Sequence, residues 1–232
     1  MSKKVIIIAT IKSWNIQNAE IFKRRFKNEY SVNIFTKKEQ LSYKTIKLIG
    51  PKYIFLPHWS WLVSKEICKN YECIGFHMTN LPFGRGGSPL QNLIKREIKK
   101  TKISAIRITG GLDAGPIYLK KDLGLAGSAE TIFKNASKIV FRDMIPYIIH
   151  NNPVCVSQKG KVVKFQRRNP KQSDISDLCS LIKAYDYIRM LDAEGYPLAF
   201  AKTRHLKIEF SNAQVNKGEI IAKAKITLRR KS

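Results

Sequence analysis

The feature that most constrains the fold is a continuous apolar run near the start of the chain, Val5-Ile6-Ile7-Ile8. β-Branched residues at successive positions leave no polar face, so the run is typical of a strand that is buried on both sides. Residues 15–26 follow with a helical pattern, in which the apolar side chains of one face are Ile16, Ala19, Phe22 and Phe26. A buried strand followed by an amphipathic helix indicates an α/β fold.

The same alternation continues up to residue 98. Strand patterns cover residues 31–35, 53–56 and 73–77, and helix patterns cover residues 43–48, 64–71 and 89–98. Ser64 and Ser88 precede the last two helices and are predicted to be their N-caps. Strands that alternate with helices in this way predict a mostly parallel sheet with helices on both faces.

Beyond residue 100 the pattern changes, because only a short turn separates the strands predicted at residues 103–108 and 116–119, which favours antiparallel neighbours. A long helix is predicted over residues 128–149, kinked or ended by Pro146. The remaining patterns are a short strand at residues 162–163, a helix at 178–191 and alternating β-strands at 206–228.

The predicted fold is therefore α/β, with a Rossmann-like, mostly parallel sheet, an antiparallel extension and a small C-terminal β module. Two domains are expected, at residues 1–170 and 171–232, with the linker between Gly160 and Asp177.

Composition limits the class of partner more than it limits the fold. The chain carries 43 Lys and Arg residues against 17 Asp and Glu, a formal net charge of +26. This charge suits a polyanion, an anionic membrane face or a phosphate-bearing substrate, and does not choose among them. The apolar fraction of 44% excludes wholesale disorder.

Cysteine usage and targeting patterns bear on location. The spacings of Cys68, Cys73, Cys155 and Cys179 fit no zinc template, so each is predicted to be a small buried side chain in a reducing compartment. The N-terminal apolar run is too short for a secretory signal, and no stretch approaches the length of a membrane span. A soluble cytoplasmic protein without stable membrane insertion is the expectation.

The loops at the carboxyl ends of parallel strands are where ligands bind in such a fold. The first, residues 9–15, has no glycine, which argues against a dinucleotide site. The fourth, residues 77–89, places His77 at a strand end and then surrounds Arg85 with glycines ahead of a helix start, an arrangement that favours an anion. A tight turn whose glycines only allow positive φ is the alternative.

Two polar residues stand out against their surroundings. His77 at a strand terminus suits a general base, although an imidazole hydrogen-bonded inside the fold would look the same. Asp113 lies in a glycine-bounded turn between apolar strands, where an aspartate can also serve the turn alone. Spacing does not show whether the two residues meet.

These loops carry a family resemblance. Residues 76–86, with the histidine, a leucine-proline turn and arginine-glycine, resemble the first signature of the folate-dependent formyltransferases, and residues 111–117 resemble the second, centred on Asp113. Residues 192–200, with Gly195-Tyr196-Pro197, are similar to the start of the family's small C-terminal β module. The resemblance implies transfer of a formyl group from N10-formyltetrahydrofolate to an amine, without a metal.

The resemblance also implies roles for individual residues. His77 and Asp113 match the catalytic histidine and aspartate of the family. Where the family has an asparagine two residues before the histidine, this chain has Gly75, so the carbonyl would be polarised by a backbone amide, by water or by Asn80, or activity has been lost.

Binding residues follow from the same resemblance. The pterin of the folate is expected between the loop after the third strand and the later hairpin, at Trp59, Ser60, Trp61, Leu62, Gly110, Gly111 and Leu112. The substrate is expected near the first and fourth loops, at Lys12, Trp14, Asn15, Arg85 and Gly86. Trp59 and Trp61 could equally be core or interface aromatics.

Three functions remain open at this stage. The favoured one is an N-formyltransferase that acts on a nucleotide-linked 4-amino-4,6-dideoxy sugar. This sugar would belong to a surface glycan of the O-antigen type found in lipopolysaccharide. The sugar is then the expected partner, with no nucleic acid, and the resemblance also allows a homodimer. An enzyme acting on methionyl-tRNA is the alternative: the chain looks short for it, but the net charge and the basic tail Arg229-Arg230-Lys231 suit a phosphate backbone. A non-catalytic relic that binds folate or a nucleotide sugar, disabled at Gly75, is the third.

Overall fold

A six-stranded sheet forms the centre of the fold. The structure is a computed structural model that describes residues 3–229, so Arg230 and Lys231 of the basic tail lie outside the described residues. The first strands are β1 (Lys4–Ala9), β2 (Tyr30–Phe35), β3 (Tyr53–Leu56), β4 (Cys73–His77) and β5 (Phe83–Gly86), and the next two are β6 (Lys100–Arg107) and β7 (Ile117–Gly124).

The order of strands in this sheet is β2-β1-β3-β4-β6-β7. β1 pairs in parallel with β2 and β3, and β3 pairs in parallel with β4, whereas β4 and β6 are antiparallel. The predicted mostly parallel sheet with an antiparallel extension is thus confirmed. Ile6, Ile7 and Ile8 of β1 and Phe55 of β3 are completely buried, which explains why the first apolar run has no polar face.

Helices follow the strands largely as predicted. They are α1 (Ser13–Arg25), α2 (Tyr43–Ile49), α3 (Lys65–Asn70), α4 (Pro89–Ile94), α5 (Ala129–Ile139), α6 (Ile145–Asn151) and α7 (Leu181–Arg189). The hydroxyl of Ser64 accepts the backbone N–H of Ile67 at 3.3 Å and caps α3 as expected.

The start and end of α4 differ from the prediction. Ser88 has φ +49 and no capping bond from its side chain; its hydroxyl accepts the backbone N–H of Arg168 at 3.1 Å instead. The helix stops at Ile94, and Glu97, with φ +59, takes the chain out of helical geometry before residue 98.

The long helix predicted over residues 128–149 is interrupted. A π-helical turn, Val140–Met144, separates α5 from α6, and the N–H of Ile145 donates to the carbonyl of Val140 five residues earlier. Pro146 therefore sits in the first turn of α6, where a missing N–H costs little. The helix continues beyond Pro146 to Asn151, so the proline does not end it, and a kink at this residue stays a prediction.

β8 (Val163–Phe165) pairs with β5 in a two-stranded sheet, although β5 was predicted to be part of a loop.

The last three strands form the predicted small β module. β9 (Ala199–Lys202), β10 (Leu206–Asn216) and β11 (Glu219–Leu228) form an antiparallel sheet in the order β11-β10-β9.

The compact units of the structure do not coincide with the two predicted domains. Within the described residues, one compact unit contains residues 3–85, Thr101–Leu123 and Lys134–Lys164, and the other contains Gly86–Lys100, Gly124–Phe133 and residues 165–229. The second unit thus takes in two segments from before residue 170. A boundary of independently folding domains near residue 170 stays a prediction.

Two further expectations can be compared with the structure. Between residues 3 and 229, no helix is both long and apolar enough to cross a membrane. All four cysteines are free; Cys73 is buried as predicted, Cys68 and Cys155 are half-buried, and Cys179 is exposed, so the expectation of a buried side chain is wrong at Cys179.

Candidate functional site

The two residues singled out as polar exceptions lie together. His77 is the last residue of β4, and Asp113 belongs to the loop that joins β6 to β7. The His77 Nδ1 atom lies 3.5 Å from Asp113 Oδ2, and the two side chains are only 10% and 20% exposed. Asp113 has φ +47, a left-handed conformation that aspartate tolerates better than most residues, so the turn role and the pairing with His77 coexist.

The second nitrogen of the His77 ring also faces an oxygen. His77 Nε2 lies 2.8 Å from the carbonyl oxygen of Gly84, which in addition accepts the hydroxyl of Thr79 at 3.4 Å. A neutral imidazole carries one N–H and can donate to one of its two neighbours, whereas the protonated ring donates to both. The ring is therefore oriented at both ends and offers a place for a proton gained during a reaction.

A cavity of about 360 Å³ opens beside this pair. Its lining includes His58, Trp59, Trp61 and Leu62 from the loop after β3. Gly110, Gly111, Leu112 and Asp113 from the loop after β6 also line it, as do the strand residues Gly75, Phe76 and His77. This combination of apolar side chains and glycine backbone suits a flat, partly apolar ring system with polar edges.

The structure separates the predicted site residues into two sets. Those that line the cavity are His77, Asp113, Trp59, Trp61, Leu62, Gly110, Gly111 and Leu112. Within residues 3–229, the lining does not include Asn80, Ser60, Lys12, Trp14, Asn15, Arg85 or Gly86.

Several residues of the second set have other partners. Asn80 Oδ1 accepts a hydrogen bond from Lys120 Nζ at 2.6 Å. Trp14 and Asn15 are buried at the start of α1, where the indole packs edge-on to His58 with ring centroids 6.1 Å apart. A Cβ on Gly86 would lie 2.4 Å from the carbonyl oxygen of Phe165, so this glycine allows a close backbone approach. The binding and catalytic roles of these residues stay predictions.

At Gly75, where the family signature has an asparagine, another side chain fills the space that the amide would need. A Cβ built on Gly75 lies 2.6 Å from Ile108 Cδ1, so the isoleucine side chain fills the space beside β4. Between residues 3 and 229, no group of three or more His, Cys, Asp and Glu side chains could hold a metal ion.

Two residues of the site were not among the predicted site residues. His58 has φ +54 and lines the cavity; burial, with a smaller contribution from Lys12, lowers its pKa to about 4. Gln158 donates its side-chain N–H groups to the carbonyl oxygens of Asp113 and Gly115, both at 2.8 Å. A histidine directly after a strand and its proline was visible in the sequence, whereas nothing marks a glutamine 45 residues after Asp113.

Comparison with known proteins gives the chain its relatives. Residues 170–227 match the family described as the C-terminal domain of methionyl-tRNA formyltransferase. Methionyl-tRNA formyltransferase from Clostridium thermocellum has a structure with 55% sequence identity and a TM-score of 0.96, covering 97% of this chain and 100% of that chain. The methionyl-tRNA formyltransferase of Campylobacter lari is 26% identical over 170 residues, which are 71% of this chain and 52% of the relative. The chain thus spans about half the length of this curated relative.

These relatives overturn the favoured substrate. The expectation of a nucleotide-linked amino sugar, with no nucleic acid partner and a role in surface glycans, is wrong, because the extended matches are to methionyl-tRNA formyltransferases. A 4-N formyltransferase from Francisella tularensis, with a TM-score of 0.67 and 15% identity over 98% of each chain, shares the fold alone. Chain length misled the prediction, since the Clostridium thermocellum protein is covered completely by a chain of this size.

The packing of Ile108 against Gly75 generates a stability prediction. Gly75→Asn should lower the free energy of unfolding by about 1–2 kcal/mol, because the new Cβ overpacks the Ile108 Cδ1 position. Ile108→Val removes that methyl group, so the double variant should be more stable than the sum of the single effects. Urea unfolding of the three variants measures this coupling, and strictly additive effects would contradict it.

The burial of His58 generates a pH prediction. Its ring titrates near pH 6.5 in the unfolded chain and near 4 in the folded protein, so stability is complete above pH 6.5 and falls as the pH drops from 6.5 to 4. His58→Asn keeps the positive φ accessible, and it should reduce the loss of unfolding free energy between pH 7 and pH 4.5 by about 2 kcal/mol. His205→Asn, at an exposed position, is the control. Equal acid sensitivity of His58→Asn and wild type would refute the assignment.

Proposed function

The chain belongs to the formyltransferase family, and we propose that it transfers the formyl group of N10-formyltetrahydrofolate to the amine of methionyl-tRNA. The observation that carries the reaction type is the contact between His77 and Asp113 at the wall of the cavity. The choice of acceptor rests on the relatives, which are named as enzymes of methionyl-tRNA.

The cavity fits the proposed donor. The ring system of a folate is flat and carries polar edges, which match the apolar side chains of Trp61 and Leu62 and the glycine backbone of Gly110 and Gly111 in the lining. Gly110 has open space around its Cα, so a ligand can approach the backbone there closely. The donor supplies the one-carbon unit, and this chain supplies its orientation and the proton transfers.

His77 is proposed to manage the proton of the acceptor. The neutral amine forms a C–N bond with the formyl carbon and must lose a proton, while the bond from that carbon to the N10 atom breaks and N10 gains one. The Nε2–H of neutral His77 donates to the carbonyl oxygen of Gly84, and Nδ1, on the side of Asp113, takes the first proton and returns the second. The carboxylate of Asp113, 3.5 Å from Nδ1, stabilises the positive ring that exists between the two steps.

Polarisation of the formyl carbonyl is assigned to a backbone amide or water. Gly75 has no side chain to offer, and Asn80 is not among the residues that line the cavity. One such donor is typically worth ~10²–10³ in rate, so activity requires a substitute of this kind.

A basic face of the C-terminal hairpin is proposed to contact the acceptor RNA. In the register of β10 with β11, Lys207 is opposite Thr227, Glu209 is opposite Lys225 and Ser211 is opposite Lys223, so these side chains share one face of the hairpin. Lys223 and Lys225 are exposed. Together with the net charge of +26, this face provides ammonium groups for phosphates.

The catalytic assignment predicts the behaviour of two single-residue variants. His77→Asn and Asp113→Asn should each lower kcat for formylation of methionyl-tRNA by about 10²–10⁴, because the proton acceptor or its stabilising carboxylate is lost. The products are separated and identified by mass spectrometry after hydrolysis of the tRNA ester. His205→Asn and Asp177→Asn, both exposed, serve as controls, and unchanged turnover of both site variants would refute the mechanism.

The acceptor assignment predicts salt-sensitive RNA binding. The log Kd for methionyl-tRNA should rise linearly with the log of the salt concentration. Lys223→Gln combined with Lys225→Gln should lower the slope of this plot by about 1–2. Lys44→Gln combined with Lys47→Gln, on α2, is the matched control of equal charge. Filter binding at several salt concentrations measures the slope. Affinity that is independent of salt would remove the proposed RNA contact.

A further inference from the structure

Gln158 uses its whole hydrogen-bonding capacity between two segments of the site. Its Nε2 donates to the carbonyl oxygens of Asp113 and Gly115, at 2.8 Å each. Its Oε1 accepts from Nε and Nη2 of Arg85, at 3.0 and 2.7 Å. An amide has two N–H donors and two acceptor lone pairs, so all four are used.

These four bonds fix the orientation of the amide. Exchanging its oxygen and nitrogen would set an oxygen against two carbonyl oxygens and N–H donors against a guanidinium, which also only donates. The position therefore requires a side chain that both donates and accepts. Glutamate would retain the bonds from Arg85 and lose those to the two carbonyl oxygens, and methionine would retain only the volume.

The two segments joined by Gln158 are those that contact the two nitrogens of His77. Asp113 provides the carboxylate near Nδ1, and its own carbonyl oxygen is bound by Gln158. Gly84 provides the carbonyl oxygen near Nε2 and directly precedes Arg85, whose guanidinium is bound by Gln158. One amide thus connects the two segments that provide the acceptors for the imidazole.

The hydrogen bonds of Gln158 restrain a turn whose backbone has an unfavourable conformation. Asp113 has φ +47, a conformation that costs energy in residues other than glycine and persists where the surroundings impose it. The bonds from Gln158 to the carbonyls of Asp113 and Gly115 flank Ala114 and hold this turn at both sides.

We propose that Gln158 is a positioning residue for formyl transfer: it acts through Asp113 and Gly84 to hold the His77 imidazole in its reactive orientation. This inference rests on the proposed function. It predicts a loss of kcat when the amide is replaced, because the imidazole is then no longer held in its reactive orientation.

The test compares Gln158→Glu and Gln158→Met with Ser157→Ala, an exposed neighbour, in the full chain. Both Gln158 variants should lower kcat by ~10–100-fold, and Ser157→Ala should match wild type. Amide hydrogen exchange of the peptide covering residues 109–116 should accelerate in both Gln158 variants, which is a readout that needs no activity.

A double-mutant cycle separates positioning from general damage. In the Asp113→Asn background, Gln158→Glu should lower kcat by less than about twofold, because its effect passes through the lost carboxylate. An equal effect in both backgrounds, or unchanged kcat and unchanged exchange, would overturn the inference. A wild-type protein that transfers no formyl group would overturn the proposed function and the catalytic role of Gln158 with it, while the exchange rates would still report whether Gln158 holds the loop.

Discussion

The contact between His77 and Asp113 is the interaction on which the site depends, and the antiparallel part of the sheet makes it. β6 pairs with β4 in the opposite direction, with His77 opposite Ser104, and the loop after β6 folds back over β4. The tightness of this loop depends on Gly115, where a Cβ would lie 1.7 Å from the carbonyl oxygen of Arg107. An α/β fold with parallel strands alone would send the chain away through a crossover and leave the histidine without a carboxylate.

At this site a backbone carbonyl and a neutral amide orient His77 and Asp113, a task that charged side chains often perform elsewhere. The carbonyl of Gly84 holds one ring nitrogen of His77, and the amide of Gln158 holds the turn of Asp113. The Ile108 side chain fills the space beside Gly75, so apolar packing replaces the side-chain donor that the signature has at this position. The low solvent exposure of His77 and Asp113 strengthens the interaction between their side chains.

The sequence predicts those parts of the molecule that depend on local patterns. The buried run of β1, the cap at Ser64 and the antiparallel C-terminal strands follow from periodicity and capping chemistry. Features set by distant partners were missed: Ser88 bonds to residue 168 instead of capping α4, β5 exists because β8 pairs with it, and Gln158 reaches back 45 residues to Asp113. The acceptor was also missed, because the signatures around His77 and Asp113 describe the formyl chemistry and carry no pattern for the molecule that receives it.

The central claim is that His77 and Asp113 serve formyl transfer to the amine of methionyl-tRNA. The most direct measurement incubates the wild-type protein with N10-formyltetrahydrofolate and methionyl-tRNA and follows the mass of the amino acid released from the tRNA. The account predicts a gain of one formyl group that depends on both substrates and on protein concentration. Stable binding of folate and tRNA to the protein with methionine of unchanged mass would contradict it.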